Sequence, residues 1–322
     1  MMFNFNILQN KRKNFVFEMI SKINIKLLIT LSCFLFIGTS IYINFESLSN
    51  EEIATEEILW LLLGMIFSYL SIIINAYAWK YLINNIGCHS NKFNIVKLFL
   101  STNIYKYFPG GIWHFVSRYN TLRLEFSTEK SIESILLEPL LMLVAGLIFI
   151  PFGSLNIFVF ILCWSSTLVF LPVFRNFIIQ KLKTMKASIF TNNDELKERN
   201  SAQNNKNISR RMFYPYKPLL VEIIFVLFRF MGFLFCMNAF AIGSLISQGE
   251  LISSFSLAWI IGLIVPAAPG GLGVFESVIL FSLGSNLPEA PLLASLLCYR
   301  LVSTISDIFG ALTYPVKKLF KV

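Results

Sequence analysis

Long apolar runs, broken by short polar or charged segments, dominate the pattern of this chain. A transmembrane helix needs roughly 20 mostly apolar residues to cross ~30 Å of hydrocarbon. Six runs reach that length, at about 26–44, 57–79, 133–151, 154–173, 218–241 and 290–313. Two further stretches, 93–118 and 251–285, are interrupted by Pro-Gly-Gly. Their halves, at about 15 residues or roughly 22 Å of helix, are short for a crossing. The pattern predicts an all-α polytopic membrane protein with six full spans and two re-entrant hairpins (or short helix pairs).

Composition narrows the class. Of 322 residues, 56% are hydrophobic and 14% are charged, against about 25% charged in soluble domains. Mean hydropathy is +0.67. A soluble core could not hide so much apolar surface, which excludes a cytosolic enzyme, a disordered chain and a nucleic-acid partner. The five cysteines have no metal-ligand spacing and read as buried structural thiols. Neither a metal nor a cofactor is expected.

Charge sets the orientation, because cytoplasmic loops carry the excess of Lys and Arg. Residues 1–25 are basic, and the first apolar run after them reads as a retained anchor rather than a cleaved signal peptide. The loop 45–56 carries Glu46, Glu51, Glu52 and Glu56 and no base. The loop 174–217 carries ten Lys and Arg against Asp194, Glu195 and Glu198. The tail 316–322 holds Lys317, Lys318 and Lys321, whereas 242–250 and 285–289 hold Glu250 and Glu289 and no base. One assignment fits: both termini and the loop 174–217 are cytoplasmic, and the acidic loops lie outside. Within the long loop, Phe174, Phe177, Ile178, Leu182, Met185 and Ile189 with Lys181, Lys183 and Lys186 predict a basic amphipathic helix on an anionic leaflet. The stretch 191–211 is polar and reads as disordered.

The two interruptions are alike. Pro109-Gly110-Gly111-Ile112-Trp113-His114-Phe115 and Pro269-Gly270-Gly271-Leu272-Gly273-Val274-Phe275 lie 160 residues apart. The same shift lays run 57–79 on 217–239 and 133–151 on 293–311. With the charge-derived topology this predicts an inverted repeat, with units of about 57–151 and 217–311 inside a single domain, 26–315. Pro109 and Pro269 act as hinges that end a helix. The glycine pairs Gly110, Gly111 and Gly270, Gly271 permit a reversal. A second helix then starts near Ile112 and Leu272, with its free N–H groups turned toward the membrane interior. Two facing N-termini would favour an anion.

Charges inside the apolar runs add candidate chemistry. Glu222 and Arg229 are seven apart on one helix, as are Arg300 and Asp307; Glu138 and Glu276 also sit in apolar helices. Each charge at mid-bilayer costs about 2.5–3.5 kcal/mol on insertion scales, so these groups are expected to face inward and pair. Arg229 and Arg300 are candidates for a phosphate contact, since a guanidinium fork matches phosphate. His114 reads either as a hydrogen-bonded structural histidine or as a proton-coupling group. Lys106 is balanced between headgroup snorkelling and substrate contact, whereas Arg118 reads as a snorkelling residue.

These motifs also carry a resemblance. Tyr105-Lys106-Tyr107-Phe108-Pro109-Gly110-Gly111-Ile112-Trp113-His114-Phe115, Pro266-Ala267-Ala268-Pro269-Gly270-Gly271-Leu272-Gly273-Val274-Phe275-Glu276 and Tyr299-Arg300 are similar to the signatures of the lysylphosphatidylglycerol synthase transmembrane region, a flippase-like integral membrane family. The resemblance implies a plasma-membrane protein that translocates a phospholipid or a lipid-linked headgroup. Pro109, Gly110, Gly111, Pro269, Gly270, Gly271, Glu276 and Arg300 then stand at signature positions. Long members attach the amino acid with a separate soluble domain. With Val322 closing the sequence just after the last helix, lipid aminoacylation is not expected of this chain.

The expected function is therefore non-enzymatic lipid translocation. Its substrate-binding set is Arg229, Arg300, Glu276, His114, Lys106, Gly110, Gly111, Gly270 and Gly271, with no catalytic residue. The expected partners are membrane lipids with an anionic or polyprenyl-linked headgroup. Homo-oligomerisation and a lipid- or glycan-modifying enzyme partner are left open. The alternatives are an intramembrane lipid-carrier transferase using His114, Ser117 or Glu276, and a scaffold for a glycan- or lipid-modifying enzyme.

Overall fold

A computed structural model describes residue 42 and residues 55–108, 112–154, 156–171, 214–265 and 273–313. The first apolar run apart from Tyr42, the amphipathic segment within 174–189, the stretch 191–211 and both termini lie outside the described residues. Among the described residues the protein is helical throughout. The helices are α1 (Thr55–Asn85), α2 (Ile95–Asn103), α3 (Trp113–Leu122), α4 (Thr128–Leu147), α5 (Ile157–Ser165), α6 (Tyr216–Ala239), α7 (Gln248–Ile264), α8 (Val274–Leu283) and α9 (Glu289–Thr313). A 3-10 turn, Ile104–Tyr107, extends α2.

Four segments are long and apolar enough to cross a membrane: Glu57–Asn85, Thr128–Gly153, Tyr216–Ala239 and Glu289–Leu312. They correspond to four of the six expected spans. The run 154–173 is shorter as a helix, covering Ile157–Phe170. The two interrupted stretches form short pairs, α2 with α3 and α7 with α8. Local chemistry sets their starts. Asn94 accepts from the backbone N–H groups of Val96 and Lys97 at the head of α2, and Ser247 accepts from Glu250 N–H at the head of α7. Each side chain satisfies donors that a helix start leaves open.

The helices recur at the 160-residue shift: α1 with α6, α2 with α7, α3 with α8 and α4 with α9. Packing follows the same exchange. Helix α1 packs on α9 as α6 packs on α4, and α2 packs on α9 as α7 packs on α4. The central contact is between the equivalent helices α1 and α6. A Cβ at Gly64 would lie 3.2 Å from Gly232 O and 3.3 Å from Cys236 Sγ, and one at Gly232 would meet Ser68 Oγ. Small residues here let the two backbones approach closely. Trp60 stacks on Phe235, and Phe67 on Phe228. As the numbering rises along α1 it falls along α6, so the pair is antiparallel and the two units are upside down relative to each other.

The apolar core lies between these helices. Phe233, Phe255, Phe275 and Tyr299 touch in every pairing, with ring centroids 5.4–6.1 Å apart. The block joins α6, α7, α8 and α9, and it anchors the residues next to Phe275 and Tyr299, which are Glu276 and Arg300. Outward positions such as Leu59, Ile66, Leu70, Phe158 and Phe281 stay exposed, as lipid contact allows. Cys88, Cys163 and Cys236 are buried free thiols, and Cys298 is partly buried.

Candidate functional site

A cavity of about 270 Å³ lies where the two units meet. The first unit contributes Asn75, Asn103, Lys106, His114, Arg118 and Glu138. The second contributes Arg229, Trp259, Phe275, Tyr299 and Arg300. Four cations line it, and three of them are bound to carboxylates.

Lys106, on the turn after α2, reaches Asp307 of α9 at 2.7 Å. Asp307 is fully buried. It also accepts from Asn103 Nδ2 at 2.8 Å and from the Tyr107 hydroxyl at 2.6 Å. This cluster ties the first unit to the second.

Arg118 does not snorkel. Its side chain is buried and donates from Nη1 to Glu138 Oε1 of α4 at 2.5 Å and from Nε to Thr102 Oγ1 at 3.1 Å. Its guanidinium lies 3.8 Å from the centre of the Phe99 ring and 5.1 Å from that of Trp79. The reason is electrostatic: the carboxylate of the next helix meets it inside, and the rings of Phe99 and Trp79 flank its guanidinium.

Arg300 pairs with Glu276 and sits over the Phe275 ring. The other oxygen of Glu276 accepts from Gly273 N–H at 2.8 Å. Gly273 has φ 87°, a conformation that glycine adopts without the penalty of a Cβ. The carboxylate of Glu276 thus caps the start of α8, and the donor expected to face an external anion there is already satisfied.

Arg229 differs from the other three. It lies beside Tyr299, with Asp307 and Tyr107 within electrostatic range. Among the described residues no carboxylate is in ion-pair contact with it, and its Nη1 has no hydrogen-bond partner. His114 also lines the cavity, packed on Phe115 at 3.8 Å between ring centroids, with Nδ1 unpartnered.

Residues 23–309 match the family described as the lysylphosphatidylglycerol synthase TM region. The chain belongs to that family. The match takes in α1 to α8 and all but the last four residues of α9. No individual curated protein matches the chain. Within this member of the lysylphosphatidylglycerol synthase TM family, the structure brings Lys106, His114, Arg229 and Arg300 to one cavity and places Glu276 behind Arg300. Pro109, Gly110, Gly111, Pro269, Gly270 and Gly271 lie outside the described residues.

Sequence reasoning missed Asn75 and Asn103 as polar members of this region. Asn75 carried a signal, as a lone amide deep in an apolar run. Asn103 carried none, because its partner Asp307 lies 204 residues away. The expectation that the intramembrane charges pair holds for Glu138, Glu276, Arg300 and Asp307. It does not extend to Glu222, which forms no ion pair among the described residues.

Proposed function

We propose that this protein translocates a phospholipid or lipid-linked headgroup across the plasma membrane, without covalent chemistry on it. The observation that carries the reading is the cavity between two oppositely directed units, with three of its four cations neutralised and Arg229 open. A guanidinium without a carboxylate in ion-pair contact is costly in a low-dielectric wall. A phosphate diester offers the matching charge and the planar pair of acceptors. The volume suits a headgroup rather than a whole lipid, so the acyl chains stay in the bilayer.

Movement follows from the architecture. Rocking of one inverted unit against the other exposes a fixed central site to each side in turn. The Lys106–Asp307 contact crosses between the units, so it must loosen when they rock. An arriving phosphate competes with Asp307 for Lys106 and favours that loosening. The family membership, the basic cavity and the antiparallel α1 and α6 all support the reading. Purified protein in vesicles, with fluorescent phospholipid in one leaflet, tests it: dithionite-protected probe must become accessible faster than in empty vesicles.

The orientation has its own test. In a background with the five native cysteines replaced, Ile58→Cys and Ser244→Cys should react with an impermeant maleimide from outside. His89→Cys and Lys217→Cys should react only after the cytoplasmic face is opened. Labelling of Ile58→Cys and Ser244→Cys from opposite faces would contradict the topology.

A further inference from the structure

Three buried oxygens, on α1, α4 and α6, lack donors. Glu222 of α6 is 2% exposed, and its Oε1 has no hydrogen-bond partner. Glu138 of α4 is 6% exposed and donates nothing as a carboxylate; its Oε1 holds Arg118, and its Oε2 is unpartnered. Asn75 of α1 is 6% exposed, with Oδ1 unpartnered. Asn75 and Glu138 line the same cavity, and Glu138 acts electrostatically on Glu222. Asn75 and Glu222 stand at matching levels of the antiparallel pair, by the register that sets Trp60 against Phe235 and Phe67 against Phe228. Three helices packed on one another thus each carry a buried acceptor that lacks a donor.

We infer that Glu222 is a proton-binding site, and that its proton is taken up together with the anionic headgroup. A protonated carboxyl gains an O–H donor. One proton from the aqueous phase, forming that O–H bond on Glu222, turns one orphaned acceptor into a donor for a neighbour. It also removes a negative charge from a place where no cation neutralises it among the described residues. The elements packed on α6 are α1, α4, α7 and α9. Helix α4 brings Glu138, backed by Arg118 of α3, and α1 brings the neutral Asn75. No titratable group of α7 or α9 among the described residues acts on Glu222.

The link to the headgroup is electrostatic. Glu222 and Arg229 are seven residues apart on one helix, about 10 Å along its axis. With Glu222 ionised, the four cavity cations face four carboxylates. With Glu222 protonated, one positive charge remains, and at that separation an anion binds roughly tenfold more tightly. Linkage is reciprocal, so a bound anion strengthens proton binding by the same factor. The coupling half of this inference rests on the proposed headgroup seat; the proton site itself does not.

Two measurements keep these separable. Infrared spectra of the protein in lipid, in H2O and D2O, should show a protonated-carboxyl band. Glu222→Gln should remove it, and Asn75→Ala should shift it. Absence of any band that responds to either change overturns the proton site, whatever the lipid transport. A sodium-dependent carboxylate signal in place of the band also overturns it. In weakly buffered solution, adding short-chain phosphatidylglycerol to purified protein should then cause proton uptake that is lost in Glu222→Gln. In vesicles, a pH gradient should accelerate translocation in the wild type, and a protonophore or Glu222→Gln should abolish the acceleration. Translocation that ignores the gradient overturns the coupling. A wild type that moves no lipid refutes the proposed function, and the infrared band still decides the proton site.

Discussion

Arg229→Ala should nearly abolish translocation while the protein still folds. The residue has no carboxylate in ion-pair contact among the described residues, so its removal strands no buried negative charge. On the proposed mechanism it loses the phosphate contact, together with its hydrogen bond to Tyr299. A hydrogen bond to a charged group contributes about 1.5–3 kcal/mol, so apparent headgroup affinity should fall roughly ten- to hundredfold. Arg229→Lys should recover only part of the loss, because an ammonium is a point charge and cannot bind two phosphate oxygens as a fork. The measurement is the initial translocation rate against phospholipid content in vesicles, with the folded fraction checked by size exclusion. An Arg229→Ala rate equal to the wild type would remove the guanidinium from the mechanism. Arg300→Ala, the other sequence-derived candidate, is less clean. It deprives Glu276 of its cation, so translocation and folding should fall together.

Arg118→Ala should cost stability rather than substrate contact. Breaking a buried ion pair from one side costs about 3–5 kcal/mol, mostly because the remaining charge is left unpaired. Here the residue left behind is Glu138, in the middle of an apolar helix, and the guanidinium contacts with Phe99 and Trp79 go as well. The expected result is a large drop in the thermal midpoint of the protein in detergent. The double change Arg118→Met with Glu138→Leu removes both charges and keeps apolar volume, so it should recover most of the midpoint. A double variant as unstable as Arg118→Ala would show that the charge imbalance is not the cause.

The contrast between these two arginines shows where reading from sequence stops. Both were visible as cations near or within apolar runs. Arg118 stood at the end of a short half-helix, among flanking bases, where a snorkelling side chain is the ordinary outcome. Only the placement of α4 against α3 puts the Glu138 carboxylate 2.5 Å from it. Glu222 shows the reverse. Its spacing from Arg229 suggested a charge that would find a partner, yet helix geometry leaves the two about 10 Å apart, and the neighbour that does act on Glu222 is another carboxylate.

Sequence alone determined the membrane class, four of the six expected spans and the short helix pairs at the two interrupted stretches. Those properties depend on local quantities: the length of an apolar run against the thickness of a bilayer, and the helix-ending effect of proline and glycine. Tertiary structure decided which charges neutralise one another and which stay open. Asp307 meets Lys106, Asn103 and Tyr107 across about 200 residues, and Glu276 bridges Arg300 and Gly273. Such pairings turn on ångström-scale placement of helices that the bilayer constrains only to cross it, and no spacing along the chain encodes that placement.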